Sequence, residues 1–517
     1  MGSIPVPDHS WRNISLNNFT GGLTFTQNND SECEIFDNWE MLREGSPTTR
    51  LGVEKVNSTN IGTAMVVGMG FVTTGTSSSQ TLIVAKTGTT WWKTNLPITV
   101  AATTFTSISV PESPGNDPVR METVADTSDT SWAVFVNKNF TGVIKYDGTT
   151  ASVAASSPAN QQYIRWFSSR LYVAGNPTKP RTIRFSESAD PFSWPTTNEF
   201  IVPARYGIIT GLEAHSGRLF IFCQRGILQM VGSPPDDFEV SNLHDQIGCN
   251  IPGSISTYGT STAFMGDRSA FILSGSVKNL SERLYGPKLT GAAGSDQLAY
   301  GALTPFHYII RRSMNNNTTP LTNGTAEMLV LDRHFDSWGT WLYPATTSLG
   351  ASAPYQSIVI SMPGIHTDLL LSGGDGNIYN QSTRVVQAYD LTNSTVLFSV
   401  DYDGATGVAV TSRLRTRQLP LGSPAVQKQL GEILVAGQGT ATSFKVRMFD
   451  STYTLREGTV ATNKVLPFRT RNPQVGDTTM RTVWGELQLD ISLQRSVLKE
   501  MMVAYRPRRF SIGGALS

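Results

Sequence analysis

Short apolar strands set in pairs around polar turns recur along this chain at roughly even intervals, and that recurrence restricts the fold more than any single motif does. The clearest pairs are Gln80 to Asn95, Ser131 to Gly148, Arg170 to Ser186, Gly217 to Gly232, Thr262 to Gly275, Glu327 to Pro344 and Thr367 to Gln381. Each is rich in β-branched and aromatic residues and bounded by Gly, Asn, Asp, Ser or Pro, the signature of strands joined by tight turns. Helical periodicity is nearly absent. Marked at Leu82, Ala133, Leu171, Leu219, Ala263, Met328 and Leu369, the pairs are 51, 38, 48, 44, 65 and 41 residues apart. A four-stranded propeller blade takes roughly 40 to 50 residues. The expected fold is therefore all-β, with a propeller-like body of about seven blade-like repeats. The long interval before Met328 contains Asn315 to Thr325 (NNNTTPLTNGT), whose polar, turn-forming composition marks an inserted surface loop. A β-sandwich or two stacked β-domains would share the same local pattern without radial symmetry.

At 517 residues the chain exceeds the roughly 250 to 300 at which single cores stop growing, so a further unit is expected beside the propeller. After about residue 380 the strands lengthen, as at Thr395 to Tyr402 and Ser443 to Phe449, and residues 401–517 hold 16 Lys/Arg against 9 Asp/Glu. The division read from the sequence is an N-terminal segment over 1–59, a propeller-like domain over 60–380, and a β-sandwich-like platform over 381–517. The N-terminal segment is expected to pack with the platform.

Lys and Arg number 41 against 40 Asp and Glu, and charged residues make up 16% of the chain, below the usual quarter or so. A sequence-reading nucleic-acid binder would carry a basic excess to release phosphate counterions. Three widely spaced cysteines, Cys33, Cys223 and Cys249, give neither a disulfide framework nor a zinc knuckle and read as buried thiols. The first residues, MGSIPVPDHS, carry prolines and an acid where a secretory leader needs an apolar run, and lack the Ser/Thr of a myristoylation motif. The longest apolar run, Ile61 to Val72, is shorter than the roughly 20 residues that span a bilayer. Asn-x-Ser/Thr triplets such as Asn139-Phe140-Thr141 occur as composition alone would produce them.

Catalytic signatures are missing: no phosphate loop, zinc-binding His-Glu-x-x-His helix or nucleophile elbow is present. The six histidines, His9, His215, His244, His307, His334 and His366, are scattered singly, which gives no metal-ligand spacing. Among carboxylates, Asp236-Asp237 follows two prolines and reads as a turn cap, while Asp401-Tyr402-Asp403-Gly404 starts like a calcium loop but lacks the downstream acid. Glycan-cleaving propellers carry Ser-x-Asp-x-Gly-x-x-Trp boxes; Ser372 to Gly376 (SGGDG) is the nearest approach. The sequence thus predicts no catalytic residue, no cofactor and no metal site, and a protein that is not an enzyme.

Two arginine groups stand out: Arg413, Arg415 and Arg417, and Arg506, Arg508 and Arg509. On a strand, period-two spacing points the first three to one face. Such a stripe suits an intersubunit or partner-facing surface, because a guanidinium pairs bidentately with carboxylates. A solvated strand face is the alternative.

Several segments together resemble the nozzle, tail-hub or tubular proteins of short-tailed phages, also called phage stabilisation proteins. Cys33 to Gly52 (CEIFDNWEMLREGSPTTRLG) resembles their N-terminal Asn-containing strand followed by an Arg-Pro-Gly-like turn, with Pro47 and Arg50 displaced. The most specific part is Arg184 to Val202 (RFSESADPFSWPTTNEFIV) followed by Ile209 to Gly232. It resembles the family's Ser-x-x-x-Asp-Pro-x-x-Trp run and the Ile-x-Gly-Leu, Arg-Leu-x-x-Phe and Gly-Ile elements after it. Ser412 to Val435 and Val503 to Arg509 resemble the segment beyond their propeller. The resemblance implies a homo-oligomeric, hexameric ring below the portal and its adaptor ring, carrying tailspikes or tail fibres, with a tail needle or plug as a further candidate partner. Phage DNA would pass through its channel without sequence-specific binding, and the protein would reside in the virion tail and, during assembly, in the host cytoplasm. A receptor- or glycan-binding propeller, or a glycan-cleaving one, is the second reading.

Overall fold

The computed structural model describes residues 12–23, 32–42, 44–50, 53–55, 61, 66–75, 80–98, 104–234, 237–266, 269–282, 300–311, 326–343, 354–361, 368–374, 386–390, 400–403, 406–409, 411–417, 419–420, 428–450, 455–471, 482–492 and 496–507. Among them strands dominate, and two single-turn helices, Ala204–Tyr206 and Pro252–Ser254, are the only helical elements.

Blade 1 is Val66–Thr73, Gln80–Lys86, Thr90–Asn95 and Thr106–Ser109, each strand antiparallel to the next. Blade 2 repeats the pattern with Arg120–Ala125, Ser131–Val136, Ile144–Tyr146 and Ala151–Val153, and blade 3 with Tyr163–Phe167, Arg170–Asn176, Lys179–Phe185 and Glu199–Ile201. Blade 4 is Ile209–His215, Arg218–Cys223, Ile227–Ser233 and Asp237–His244; blade 5 is Ser256–Tyr258, Ser261–Met265, Ala270–Ser274 and Ser276–Asn279. Blade 6 is Tyr300–Leu303, His307–Arg311, Ala326–Asp332 and Ser337–Tyr343. The seventh is completed from the other end of the chain: Pro354–Ser361, Asp368–Gly374 and Val386–Asp390 are followed in the sheet by Val53–Lys55. The first strand of blade 7 packs on the first strands of both blade 6 and blade 1, which closes the ring. The body is a seven-bladed propeller.

The strand pairs legible in the sequence are the middle strands of the blades, and burial explains why. A second strand such as Arg218–Cys223 is sandwiched between neighbouring blades, and Leu219 to Cys223 are all buried; each such side chain contributes about 1.5 to 3 kcal/mol relative to exposure. Outer strands are far more exposed, as Asp237–His244 is. Six of the seven sequence marks fall on second strands, but Met328 lies on the third strand of blade 6. The matching second-strand position is Ile309, which shortens the interval after Ala263 from 65 to 46 residues. Asn315 to Thr325 lies outside the described residues, between the second and third strands of that blade.

Inner strands converge on the axis, so bulk there is restricted. A Cβ at Gly211 would lie 2.3 Å from Ile255 Cδ1, and one at Gly301 would lie 2.3 Å from Ser254 O. Glycine at those two places lets adjoining blades meet.

The platform is a sandwich of two sheets. One orders Trp39–Met41, Pro47–Thr49, Val497–Pro507, Lys428–Gln438 and Phe468–Arg471, with Arg12–Leu16 also paired to Val497–Pro507. The other orders Glu32–Asp37, Thr411–Thr416, Thr482–Ser492, Thr440–Asp450 and Leu455–Val465. Ile433, Val435 and Met501 from the first sheet share a core with Leu414, Phe444 and Leu489 from the second. Sheet pairing runs across residues 59 and 380: Val53–Lys55 and Val386–Asp390 both belong to blade 7, and Val400–Asp403 pairs in parallel with Val53–Lys55.

Candidate functional site

Four residues from the inner strands of four consecutive blades meet at the propeller axis. Arg165 of blade 3 donates from Nη1 to Glu122 Oε2 of blade 2 at 2.8 Å and from Nη2 to Glu213 Oε2 of blade 4. Thr257 of blade 5 donates from Oγ1 to the same Glu213 oxygen at 3.0 Å. Their separations, 43, 48 and 44 residues, are the blade period itself. A cavity of about 270 Å³ lies beside them, lined also by Arg120, Tyr163 and Tyr258. Arg120 is turned to the wall, its Nη2 donating to Pro252 O at 2.9 Å.

The electrostatics of the cluster are those of a clamp. Although burial opposes its charge, Arg165 has its pKa raised by Glu213 and Glu122, so the guanidinium stays ionised. His215 sits where burial pushes its pKa down, Glu213 pulls it up and Arg165 pushes it down again. The net shift is downward, and the ring packs at a tilt against Phe220, with ring centroids 4.4 Å apart. Both carboxylates are committed to one guanidinium, a pairing that holds blades together, whereas acid–base chemistry needs carboxyls of different protonation state.

Each residue in question was invisible singly. Isolated charges interrupt the inner strands RMETVA, YIRWF and ITGLEAH. Aligning those strands at the blade period was the signal that would have found the clamp.

A second polar centre joins propeller to platform. The outer strand of blade 6, Ser337–Tyr343, pairs with Gly22–Leu23 and Glu32–Asp37 in parallel, so that blade and platform share one eleven-stranded sheet. Asn38, at φ +60° and buried, sits at this junction. Its N–H donates to Thr340 O at 2.6 Å and its Nδ2 to Thr411 O at 2.7 Å. Its Oδ1 accepts from Leu342 N at 2.8 Å and from Arg50 Nε at 2.9 Å. Its carbonyl takes Arg50 N and Ser412 Oγ. One asparagine thereby satisfies backbone groups of the blade and of the platform. Asparagine tolerates this left-handed conformation better than most residues do. Asn38 and Arg50 belong to the Cys33 to Gly52 segment singled out in the sequence.

The structure places the arginine stripe on strand Thr411–Thr416, where Ser412, Leu414 and Thr416 are buried and the odd-numbered residues lie on the opposite face. Arg413 pairs with Asp490 at 2.9 Å, and Arg415 donates to Gln488 Oε1 at 2.9 and 3.1 Å and lies 3.5 Å from Glu34. Arg417 follows the strand, half-buried, and burial lowers its pKa. Arg506 lies on Val497–Pro507 opposite Gln429, on the other sheet of the sandwich; Arg508 and Arg509 lie outside the described residues. Arg506 and the first group therefore lie on different sheets, and the first group is engaged with its neighbouring strands.

The three cysteines are buried and form no disulfide with one another, and burial raises the thiols of Cys223 and Cys249 to about 12. Among the described residues no group of three or more His, Cys, Asp or Glu could hold a metal, and no helix is long and apolar enough to cross a membrane.

No family model and no curated protein matches the chain. Similar solved structures include BBS1N in complex with ARL6DN, 8% identical, covering 67% of this chain and 99% of that one with a TM-score of 0.42. Raptor of Chaetomium thermophilum is 11% identical over 66% of this chain and 30% of its own, with a TM-score of 0.40. The N-terminal domain of Nup159 is 10% identical over 69% and 99%, with a TM-score of 0.35. The propeller assignment rests on the strand pairing itself.

Proposed function

We propose that this chain is a structural, non-enzymatic nozzle or hub protein of a short-tailed phage tail. It would form a ring, hexameric in the family it resembles, below the portal and adaptor, extend the DNA exit channel and support tailspikes or fibres. The observation that carries this reading is the run Arg184 to Gly232, in which the family-like residues have packing roles rather than chemical ones. Ser186 Oγ accepts from Leu171 N at 3.0 Å, Asp190 Oδ1 accepts from Phe192 N at 3.0 Å, and Trp194 is buried among residues of blades 2 and 3. The next elements, Ile209 to Leu212 and Arg218 to Phe222, are the inner and second strands of blade 4. A fused propeller and platform suit a load-bearing part, and ring assembly uses heterologous interfaces that close.

The test is negative-stain imaging of the purified chain with its adaptor and portal. A six-fold, open-centred ring at the end of that assembly is expected; its absence counts against the proposal. Particles lacking the protein should package DNA and then leak it, and infectious particles without it would overturn the reading.

The cavity beside Glu122, Arg165 and Glu213 favours one alternative, a glycan-binding or glycan-cleaving propeller of a phage tail. Release of fragments from host surface polysaccharide by the isolated chain, abolished by Glu213→Gln, would support that alternative.

A further inference from the structure

The outer rim of blades 3 and 4 exposes apolar side chains that a solitary propeller has no use for. Ile201 is 62% exposed on the outer strand of blade 3, and Val231, Phe238 and Val240 are 46, 37 and 36% exposed on the last hairpin of blade 4. The two blades touch here through Phe200 and Phe238, whose ring centroids are 6.1 Å apart. Strand Asp237–His244 is eight residues long and hydrogen-bonded to a neighbouring strand on one side among the described residues. A strand edge of this length bearing Phe and Val invites pairing or packing with another chain. The acids Asp237 and Glu239 are exposed on it, and Glu199 lies on the adjacent outer strand.

The complement to this acidic, apolar rim lies in the platform. The turn between Leu455–Val465 and Phe468–Arg471 projects Val465, 69% exposed, between the cations Lys464 and Arg469, both exposed. Arg469 is held by Glu432 at 3.5 Å but keeps 65% of its side chain in solvent. We infer that the Lys464 to Arg469 turn of one copy docks on the blade 3 and 4 rim of the next. Val465 would pack against Phe238 and Val240, and Lys464 and Arg469 would face Asp237 and Glu239. The two surfaces are different, so the contact is heterologous and propagates around a ring instead of stopping at a dimer. This deepens the ring reading above and rests on it.

The experiment measures the mass of the full-length chain in solution by light scattering behind size exclusion, with circular dichroism to confirm folding. The wild type is expected to assemble, and Asp237→Lys with Glu239→Lys to leave monomers, because like charges brought together across an interface oppose association. Lys464→Glu with Arg469→Glu should do the same, and the four substitutions combined should restore assembly. A wild-type chain that stays monomeric overturns the ring reading and this one together. An assembling wild type whose charge-reversed variants keep its full mass overturns this interface alone, and so does a four-fold variant that stays monomeric.

Discussion

The propeller and the platform solve the same problem, burial of both faces of a sheet, by opposite means. Blade strands run three to eight residues, and every blade depends on its neighbours to cover it. The platform uses five strands of eleven residues, all between Lys428 and Pro507, in two facing sheets to which short strands from the start of the chain are added. The propeller is therefore stabilised by contacts between repeats close to the axis. The platform is stabilised by long ladders and by the two ends of the chain meeting in one sheet.

Breaking the axial clamp should have the largest effect. Arg165→Leu leaves Glu122 and Glu213 without their shared partner and should destabilise the propeller by about 3 to 5 kcal/mol, read as a lower denaturant midpoint. The triple variant E122Q/R165L/E213Q should recover most of that loss. If the single variant unfolds at the wild-type midpoint, blade cohesion does not run through the axis.

The joint is next. Asn38→Ala removes a buried amide that serves blade 6 and platform together, at a cost of about 3 kcal/mol. Its signature should be separation of one unfolding transition into two, seen by calorimetry, whereas Arg165→Leu should shift the propeller transition. A single shifted transition in both variants would merge the two regions into one cooperative unit.

A pH titration sharpens the comparison further. His215 and His307 are held below the usual histidine range, burial being the larger cause for both and the carboxylates of Glu213 and Asp332 opposing it. A histidine kept neutral in the fold takes its proton first in the unfolded chain. The stability it lends is thus full above about pH 6.5 and is lost as pH falls through its folded pKa. Both lie in the propeller, so the propeller transition should fall first on acidification, and His307→Phe should flatten its slope.

Arg413→Ala should have the smallest effect, below about 1 kcal/mol, because the Arg413 side chain is largely exposed and buried Asp490 keeps hydrogen bonds from Ser443 Oγ and Gln488 Nε2. A larger loss in the assembled ring than in the free chain would show the stripe engaged by a partner.

What could be read in the sequence follows the same contrast. Middle strands such as Leu82 to Lys86 and Leu219 to Cys223 are buried on both faces and announce themselves as apolar runs. Inner strands mix glycine with charge, as ITGLEAH does, because they line an axis where bulk is excluded and polar groups find partners on other blades. Their pattern has meaning only across repeats. The same holds for Asn38, an ordinary turn residue until residues 340, 342, 411 and 412 are brought to it. The arginines of the 413 group were legible as one face of a strand, but not that Asp490 and Gln488 stand opposite, since those partners lie more than 70 residues away.

Val53–Lys55, the strand that completes blade 7, also sets a timetable for biosynthesis. It leaves the ribosome before any blade exists, yet its partner Val386–Asp390 is made more than 300 residues later, and Arg12–Leu16 waits longer still for Val497–Pro507. Five blades can form in order before any strand of the first 55 residues finds a partner in them; blade 6 then takes up Gly22–Leu23 and Glu32–Asp37, and the ring and platform lock only once residues 386–507 have been made. A late nonsense mutation should therefore yield an open propeller prone to aggregation through its unclosed edge, rather than a shorter working protein.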